Sequence, residues 1–500
     1  MGTPPLHHPA GKPFLIQLRL GAPFAVALAA MMLITASVAP GIAAPARTGM
    51  DGELFAGSSG PSFQIAQLEN FPRRERGEQQ AGVLTELELM WAEAAWSYFA
   101  EMTSEATGLV PSRTGISHTS MWTVGDHVAA LVAARQIELI DAVEFDRRFT
   151  AVLGFLNSMP LAFNTLPNQT YNIETGAPLG ADFEPGMTGW SGVDLGRLLI
   201  WLRIAAVEYP FYEIYIRNTV SRFNVCDIVD EQGGLLAARS TETGQQLQPE
   251  GGRGYDAYAV EGYRAWGLDL PAVAIEVPNY RLEIYGEWFQ VDETPIRIPP
   301  LMTAPPSYLG IEFGFDGLAL NEIDELIDGV RTAEELFVTM HTVQEERYRD
   351  TGILTARTDY RRGAEPFALY DTVITNGYPW STVDTNGASY PRLSLLSTRA
   401  AFAMSTLLES EYAETLLQAV TPLYSENGWG EGRYELSGAH ERTRTSATNA
   451  FILEALAYRQ NGPLFPASAR PEVLGPSVTT AAQGMCQLPF TVATDRAAQD

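Results

Sequence analysis

The spacing of apolar residues along the chain is mostly that of amphipathic helices. Leu84, Leu87, Trp91, Ala95 and Tyr98 fall on one face of a helix over residues 84–99. The same period predicts helices at Val128–Ile137, Val143–Leu156, Leu195–Val207, Tyr212–Val225, Tyr255–Trp266, Glu322–Val330, Ala333–Arg347, Ser397–Leu408, Glu411–Val420 and Ser446–Tyr458. The pattern therefore predicts an all-α fold.

One stretch departs from the helical period. Val273–Val277 and Tyr280–Val291 alternate and are rich in β-branched and aromatic residues, with Pro278-Asn279 between them. This pattern predicts a small β-hairpin or an extended insertion, with its turn at 278–279. The segments between the helices are long and rich in Gly, Asn, Pro and aromatic residues, which favours a toroid of helical hairpins with cleft-lining loops over a short-turn bundle.

Both ends of the chain differ from the middle. Lys12 and Arg19 precede the apolar run 24–39 and the small residues 41–44, a pattern typical of an export signal over residues 1–44. An uncleaved anchor is the alternative. Composition predicts a flexible leader at 45–82, one folded domain at 83–465 and a flexible tail at 466–500. We therefore expect a periplasmic or secreted protein.

The charge of the chain excludes several classes of partner. Sixty acidic residues against 33 basic ones give a net charge of −27. Nucleic acids and anionic membranes require basic patches, and polyanionic substrates are disfavoured for the same reason. A neutral or cationic partner fits better, and we expect a neutral oligo- or polysaccharide. Cys226 and Cys486 form either one disulfide or two free thiols, and no metal-ligand spacing occurs, so no cofactor is predicted.

A pentapeptide pattern occurs twice, as Trp190-Ser191-Gly192-Val193-Asp194 and Trp380-Ser381-Thr382-Val383-Asp384. Each copy carries an indole and a carboxylate, groups with which proteins hold sugar rings. Each copy precedes a helical-looking run, so the two copies predict an internal repeat, a closed architecture that presents matching loops from opposite sides. The alternative is a coincidence between two helix starts, each with a Trp and a Ser cap.

Five segments resemble the bacterial domain-of-unknown-function family 3131. They are 189–199, 254–259, 367–373, 430–435 and 448–456, and the resemblance extends from about Leu87 to Leu464. It implies an (α/α)6 toroid of the group that includes glucoamylase-like and β-1,2-glucanase enzymes, without implying a particular reaction. The chain departs from the family pattern at Ala257 and at 446–448, which weakens a direct transfer of catalytic residues.

A glycosidase needs two carboxyl groups on either side of the scissile bond. Glu435 and Asp256 each follow a Tyr in a Gly-rich segment, so the sequence predicts Glu435 as the general acid and Asp256 as its partner. The predicted substrate-binding residues are Trp122, Asp126, Trp190, Asp194, Glu250, Tyr255, Tyr370, Asp371, Trp380, Trp429 and Glu431. The structural alternative is that the acids serve as first-turn helix residues and the tryptophans as packing anchors.

The sequence thus predicts an exported glycoside hydrolase-like protein acting on a neutral cell-envelope or extracellular glucan. One alternative is a glycan-binding or assembly protein on the same toroid, with exopolysaccharide machinery as its partner. A second is a polysaccharide lyase, which the acidic composition disfavours. The chain contains no nucleotide-binding fingerprint, and its Gly-Ser-Ser-Gly at 57–60 is not a hydrolase nucleophile elbow.

Overall fold

The computed structural model describes the chain from residue 82 to 470 and residue 488, with gaps at 231–233, 251–253, 269, 271–278, 293–300, 316–318, 323–330 and 376–377. Its helices are α1 (Glu86–Met102), α2 (Met121–Gln136), α3 (Ala142–Ser158), α4 (Gly192–Glu208), α5 (Glu213–Val220), α6 (Tyr255–Arg264), α7 (Ala304–Phe313), α8 (Ala333–Thr351), α9 (Thr398–Leu407), α10 (Glu411–Val420) and α11 (Ser446–Asn461).

The strands are short and lie between the helices. They are β1 (His118–Ser120), β2 (Leu161–Ala162), β3 (Leu166–Pro167), β4 (Thr170–Asn172), β5 (Gly189–Ser191), β6 (Leu236–Thr241), β7 (Gly244–Pro249), β8 (Asn279–Ile284), β9 (Glu287–Asp292), β10 (Ala319–Glu322), β11 (Arg331–Thr332), β12 (Tyr360–Arg361), β13 (Ala368–Asp371), β14 (Ile374–Thr375), β15 (Tyr378–Pro379), β16 (Thr382–Val383), β17 (Leu395–Ser397), β18 (Gly430–Tyr434) and β19 (His440–Arg444). They form two- and three-stranded antiparallel sheets.

The helical period located most of these helices. It missed α7, which has Pro305 and Pro306 in its first turn. That helix is also buried along its whole length, so it has no polar face from which a helical period could be recognised. The helix predicted at Glu322–Val330 lies largely outside the described residues, and Glu322 itself ends β10.

The predicted hairpin is present, but its turn was misplaced. In the pairing of β8 with β9, Asn279 lies opposite Asp292 and Ile284 lies opposite Glu287, so the turn is Tyr285-Gly286. Both turn residues have positive φ (50° and 85°), as a two-residue turn of the type that matches strand twist requires. The sequence signal at 278–279 therefore marks the start of the hairpin.

Six helices pack against one another in cyclic order within the described part of the chain: α2, α4, α6, α7, α9 and α11, with α11 returning to α2. The other helices flank this ring: α1 packs on α11, α3 on α2, α5 on α4, α8 on α7 and α10 on α9. Ring helices such as α2, α4 and α11 are buried on nearly all sides, which is why their hydrophobic period is weak.

A Ser or Thr at the end of a short strand, or directly after it, starts four of the ring helices. Ser120, Ser191, Ser397 and Thr445 cap α2, α4, α9 and α11, each accepting a hydrogen bond from a backbone N–H in the first turn. The second pentapeptide has a different structure. Thr382–Val383 form β16 and Asp384 binds the N–H groups of a turn, so the prediction of a helix start repeated from Trp190 is wrong.

The centre of the ring contains a fully buried charge cluster. The Arg197 guanidinium binds Asp126 (2.9 Å), Glu312 (2.6 Å) and Glu454 (2.6 Å), from α2, α7 and α11. Tyr258 of α6 donates to both Glu312 oxygens at 2.9 Å. One cation therefore links carboxylates from three helices, and this arrangement depends on the closed ring.

Helices α4 and α6 cross at very short distance. A methyl group on Gly196 would lie 2.4 Å from the carbonyl oxygen of Ala259, so Gly196→Ala is expected to destabilise the protein by about 1–3 kcal/mol through overpacking. Gly154→Ala is the matched control, because a methyl group at that helical position meets no neighbour and should be neutral or stabilising by up to about 1 kcal/mol. Chemical denaturation of both variants measures the difference, and equal stabilities would contradict the close crossing.

The core of the domain includes Leu488, from the predicted flexible tail. Cys226 is disulfide-bonded, and the only other cysteine of the chain is Cys486, outside the described residues. Among the residues described, no helix combines the length and apolarity needed to cross a membrane. The predicted export signal lies outside the described residues.

Candidate active site

The first turns of α2, α4 and α6 meet at one end of the ring, here called the mouth. The N–H of Trp122 on α2 donates to the carboxylate of Asp194 on α4. The Trp122 ring contacts Tyr255 of α6 edge-on, with ring centroids 5.3 Å apart. All three side chains belong to residues that retain partial solvent exposure, so the mouth presents an acid and two aromatic rings.

Glu250 lies beside Asp194 in the mouth. It follows β7, and its Oε2 accepts the N–H of Val193 at 3.1 Å, with further bonds from Gly192 and the Ser191 hydroxyl. Enclosure by protein and the neighbouring charge of Asp194 raise the pKa of Glu250 to about 7. Enclosure also raises the pKa of Asp194 to about 6, although the Trp122 N–H opposes this. The pair therefore binds a proton close to neutral pH.

The α6 side of the mouth carries a second group of polar residues. Asp256, in the first turn of α6, is partly exposed, and its Oδ1 accepts the N–H of Ala257 at 3.0 Å. The neighbouring Tyr255 donates to Asp359 at 2.5 Å, and Arg399 of α9 binds the same oxygen at 2.9 Å. Tyr255 and Asp256 thus lie where the sequence analysis expected them, at a helix start that opens on the mouth.

Asp359 is a candidate that the sequence analysis missed. Its side chain is 17% exposed. Burial tends to raise its pKa, but the Arg399 and Arg361 guanidiniums more than compensate and hold the pKa of Asp359 below its usual range. The surrounding sequence, with Arg357, Arg361 and Arg362 close to a single acid, was a usable signal of a charge-paired carboxylate.

Glu435 does not have the environment that a general acid requires. Arg357 binds it with two hydrogen bonds (2.9 and 2.8 Å), and Arg347 with two more (3.1 and 2.9 Å). Its side chain is 1% exposed, and the guanidiniums overcome the cost of burial and lower the pKa of Glu435. A carboxylate held ionised between two cations has no proton to donate, so the structure argues against the predicted role.

Three of the predicted substrate ligands are enclosed in hydrogen-bond networks. Asp126 belongs to the Arg197 cluster. Asp371 is fully buried and binds Thr382 and the N–H of Leu395, besides its ion pair with Arg357. Glu431 binds the hydroxyls of Thr445 and Thr448 and the N–H of Arg361, which attaches β18 to the start of α11. Acids enclosed in this way do not fit contact with a substrate.

The predicted aromatic ligands divide in the same way. Trp190 and Trp429 are fully buried core residues, and Trp429 packs edge-on against Trp91 and Phe402. Neither fits the predicted contact with substrate. Tyr370 and Trp380 are partly exposed, as Trp122 and Tyr255 are. Sequence position in a loop did not distinguish a packing tryptophan from an accessible one.

The arrangement of the mouth suits proton transfer to or from a neutral ligand. It combines a carboxyl pair that binds a proton near neutrality, a further acid at the start of α6 and partly exposed aromatic rings. In the described ranges, no group of three or more His, Cys, Asp or Glu side chains is arranged to hold a metal ion.

Comparisons with known proteins agree on family and fold. The family model described as "Protein of unknown function (DUF3131)" matches residues 90–462. A search of curated proteins finds no match.

Several solved structures share the fold. An endo-β-1,2-glucanase from Chitinophaga pinensis aligns with a TM-score of 0.58 at 11% identity, covering 82% of this chain and all of that one. A candidate glucoamylase from Bacteroides caccae gives 0.57 at 10%, covering 81% and 100%. The endo-β-1,2-glucanase of Talaromyces funiculosus in complex with β-1,2-glucan gives 0.51 at 10%, covering 76% and 84%. The chain therefore has a helical toroid fold that glycoside hydrolases also use.

Proposed function

Because the chain belongs to the DUF3131 family, for which no reaction is known, we propose its function from the site: an exported glycoside hydrolase acting on a neutral glucan in the cell envelope or outside the cell. We further propose that the helical toroid is a complete (α/α)6 toroid. The cyclic order of six ring helices and the five helices that flank them in the described residues support this architecture.

The observation that carries the proposal is the carboxyl pair of Glu250 and Asp194. Glycoside hydrolysis needs a carboxylic acid that is still protonated at the working pH, so that it can protonate the leaving oxygen. Glu250, with a pKa of about 7, meets this requirement, and Asp194 contributes the charge that keeps the pKa high. We therefore assign the general acid to Glu250 in place of Glu435.

Asp256 remains our proposal for the second carboxylate. It projects from the first turn of α6, where the helix dipole favours the ionised form that activates water or attacks the sugar. Trp122 and Tyr255 border the same space and would stack against a sugar ring. The net charge of −27 favours a neutral glycan over a uronic acid polymer, which disfavours the lyase alternative.

Export is supported by the cysteine chemistry. Cys226 is disulfide-bonded, and structural disulfides persist in oxidising compartments such as the periplasm. Together with the apolar N-terminal segment, this supports a periplasmic or secreted protein. Exopolysaccharide machinery remains a proposed partner.

The proposed activity is tested by release of reducing ends from a panel of neutral glucans: linear and cyclic β-1,2-glucan, β-1,3-glucan, cellulose and α-glucans. We expect release from at least one of them, with a rate that falls as the pH rises above about 7 because Glu250 loses its proton. Binding without release would favour the glycan-binding alternative. Unsaturated uronate formed from a uronic acid polymer would instead identify a lyase.

A further inference from the structure

Exposed aromatic rings cluster on the α7 side of the domain. Tyr285 and Trp288, on the β8–β9 hairpin, are 41% and 46% exposed, and Tyr378 of β15 is 71% exposed. Trp380, two residues after Tyr378, contacts the Tyr285 ring at 6.4 Å. We call these four residues the aromatic ridge. Large aromatic side chains are costly to leave in water, so such a cluster indicates a binding surface.

The backbone of the ridge is strained at the two residues that touch. Tyr285 has φ 50° and Trp380 has φ 59°, a left-handed conformation that bulky residues rarely adopt. The Tyr285 hydroxyl also binds Asp350 at 3.3 Å, and the Arg347 guanidinium lies 4.9 Å from the Trp380 ring centroid. The hairpin turn itself requires the positive φ of Tyr285, so the strain that points to a functional position is the one at Trp380.

The ridge lies at the same end of the ring as the mouth. Ile374, on the strand paired with the one that carries Tyr378, exchanges backbone hydrogen bonds with the segment of Leu301, three residues before α7 begins. The N–H of Thr303 then binds the carbonyl of Arg357. These contacts attach the ridge to the N-terminal end of α7. That end lies beside the start of α6, because a Cβ atom on Gly254, directly before Tyr255, would lie 2.6 Å from the Cβ atom of Pro305.

We propose that the aromatic ridge is a second subsite, where a neutral glycan chain that occupies the mouth continues outwards and stacks on Trp288 and Tyr378. The proposal rests on the proposed function, because the glycan reaches the ridge only if another part of it is bound in the mouth. Aromatic rings bind the C–H faces of neutral sugars. The exposed Glu283, directly across the hairpin from Trp288, offers an acceptor for sugar hydroxyls. A ridge of this kind favours a polymer over a disaccharide as ligand.

The test uses the full chain carrying Glu250→Gln, so that binding is measured without turnover. Affinity electrophoresis and calorimetry are run with linear β-1,2-glucan and soluble β-1,3-glucan as probes, in polymeric and disaccharide forms. Adding Trp288→Ala and Tyr378→Ala should weaken binding of the polymer roughly tenfold or more and leave disaccharide binding unchanged. Phe211→Ala is the matched control: Phe211 is 76% exposed but follows the C-terminal end of α4, away from the mouth.

The outcomes separate the ridge from the catalytic proposal. Unchanged polymer affinity in the ridge variant, or equal weakening by Phe211→Ala, overturns the subsite. Failure of the starting protein to bind either polymer overturns it as well. If Glu250→Gln still hydrolyses glucan, the catalytic assignment fails, while a selective loss of polymer binding in the ridge variant still supports the subsite.

Discussion

Replacing Glu250 by Gln is expected to lower kcat/KM on the responsive glucan roughly a hundredfold to ten-thousandfold, the usual contribution of a general acid. Glutamine keeps the size of the side chain and still accepts the N–H of Val193, but it has no proton to transfer. The measurement is reducing-end release across the pH range, with the melting temperature confirming an intact fold.

The matched control is Glu242→Gln, which changes an exposed glutamate in the turn of the same β6–β7 hairpin. It should leave the rate unchanged. Asp194→Asn provides a second check, because removing that charge lowers the pKa of Glu250 and should shift the alkaline fall in activity to lower pH. Near-wild-type activity of Glu250→Gln would refute the assignment.

Replacing Arg197 by Met is expected to destabilise the protein by about 3–5 kcal/mol or to prevent folding. The substitution leaves Asp126, Glu312 and Glu454 buried around no cation, and an uncompensated buried charge is costly. Chemical denaturation measures the loss. Arg217→Met is the control, since Arg217 forms a surface ion pair with Glu213 that contributes little. Similar stabilities of both variants would contradict the central role of the cluster.

The same cluster predicts how stability depends on pH. Burial raises the pKa of Glu454 to about 8, opposed by Arg197, whereas an unfolded glutamate titrates near ~4.3. The folded state therefore holds a proton that the unfolded state releases, so this group's contribution to stability falls as the pH rises from ~4.3 to about 8. Glu454→Gln should lessen that fall, whereas Glu334→Gln, at an exposed site on α8, should not. The measurement is the melting temperature of each variant at about pH 5 and about pH 8.5, near the two ends of this interval.

Some features of the candidate site could be predicted from the sequence, and others could not. The long loops and the helix starts at Trp122, Asp194 and Tyr255 were identifiable, because Gly-rich loops leading into helices have a composition of their own. The environment of Glu435 was not. Arg347 and Arg357 are 88 and 78 residues away from it in the chain, and only folding shows that both guanidiniums bind the same carboxylate.

What the sequence determined by itself was local: most of the helices, a hairpin near residues 280–291 and the family that five of its segments resemble. These follow from periodicity, capping and short motifs, which involve residues within a few turns of one another. Only the tertiary structure decided which acids are buried, which are paired with arginines and which, like Glu250 and Asp194, have a raised pKa in the mouth. The physical reason is that a carboxyl group's protonation depends on its solvation and on charges a few ångströms away, and both are set by segments far apart in the chain.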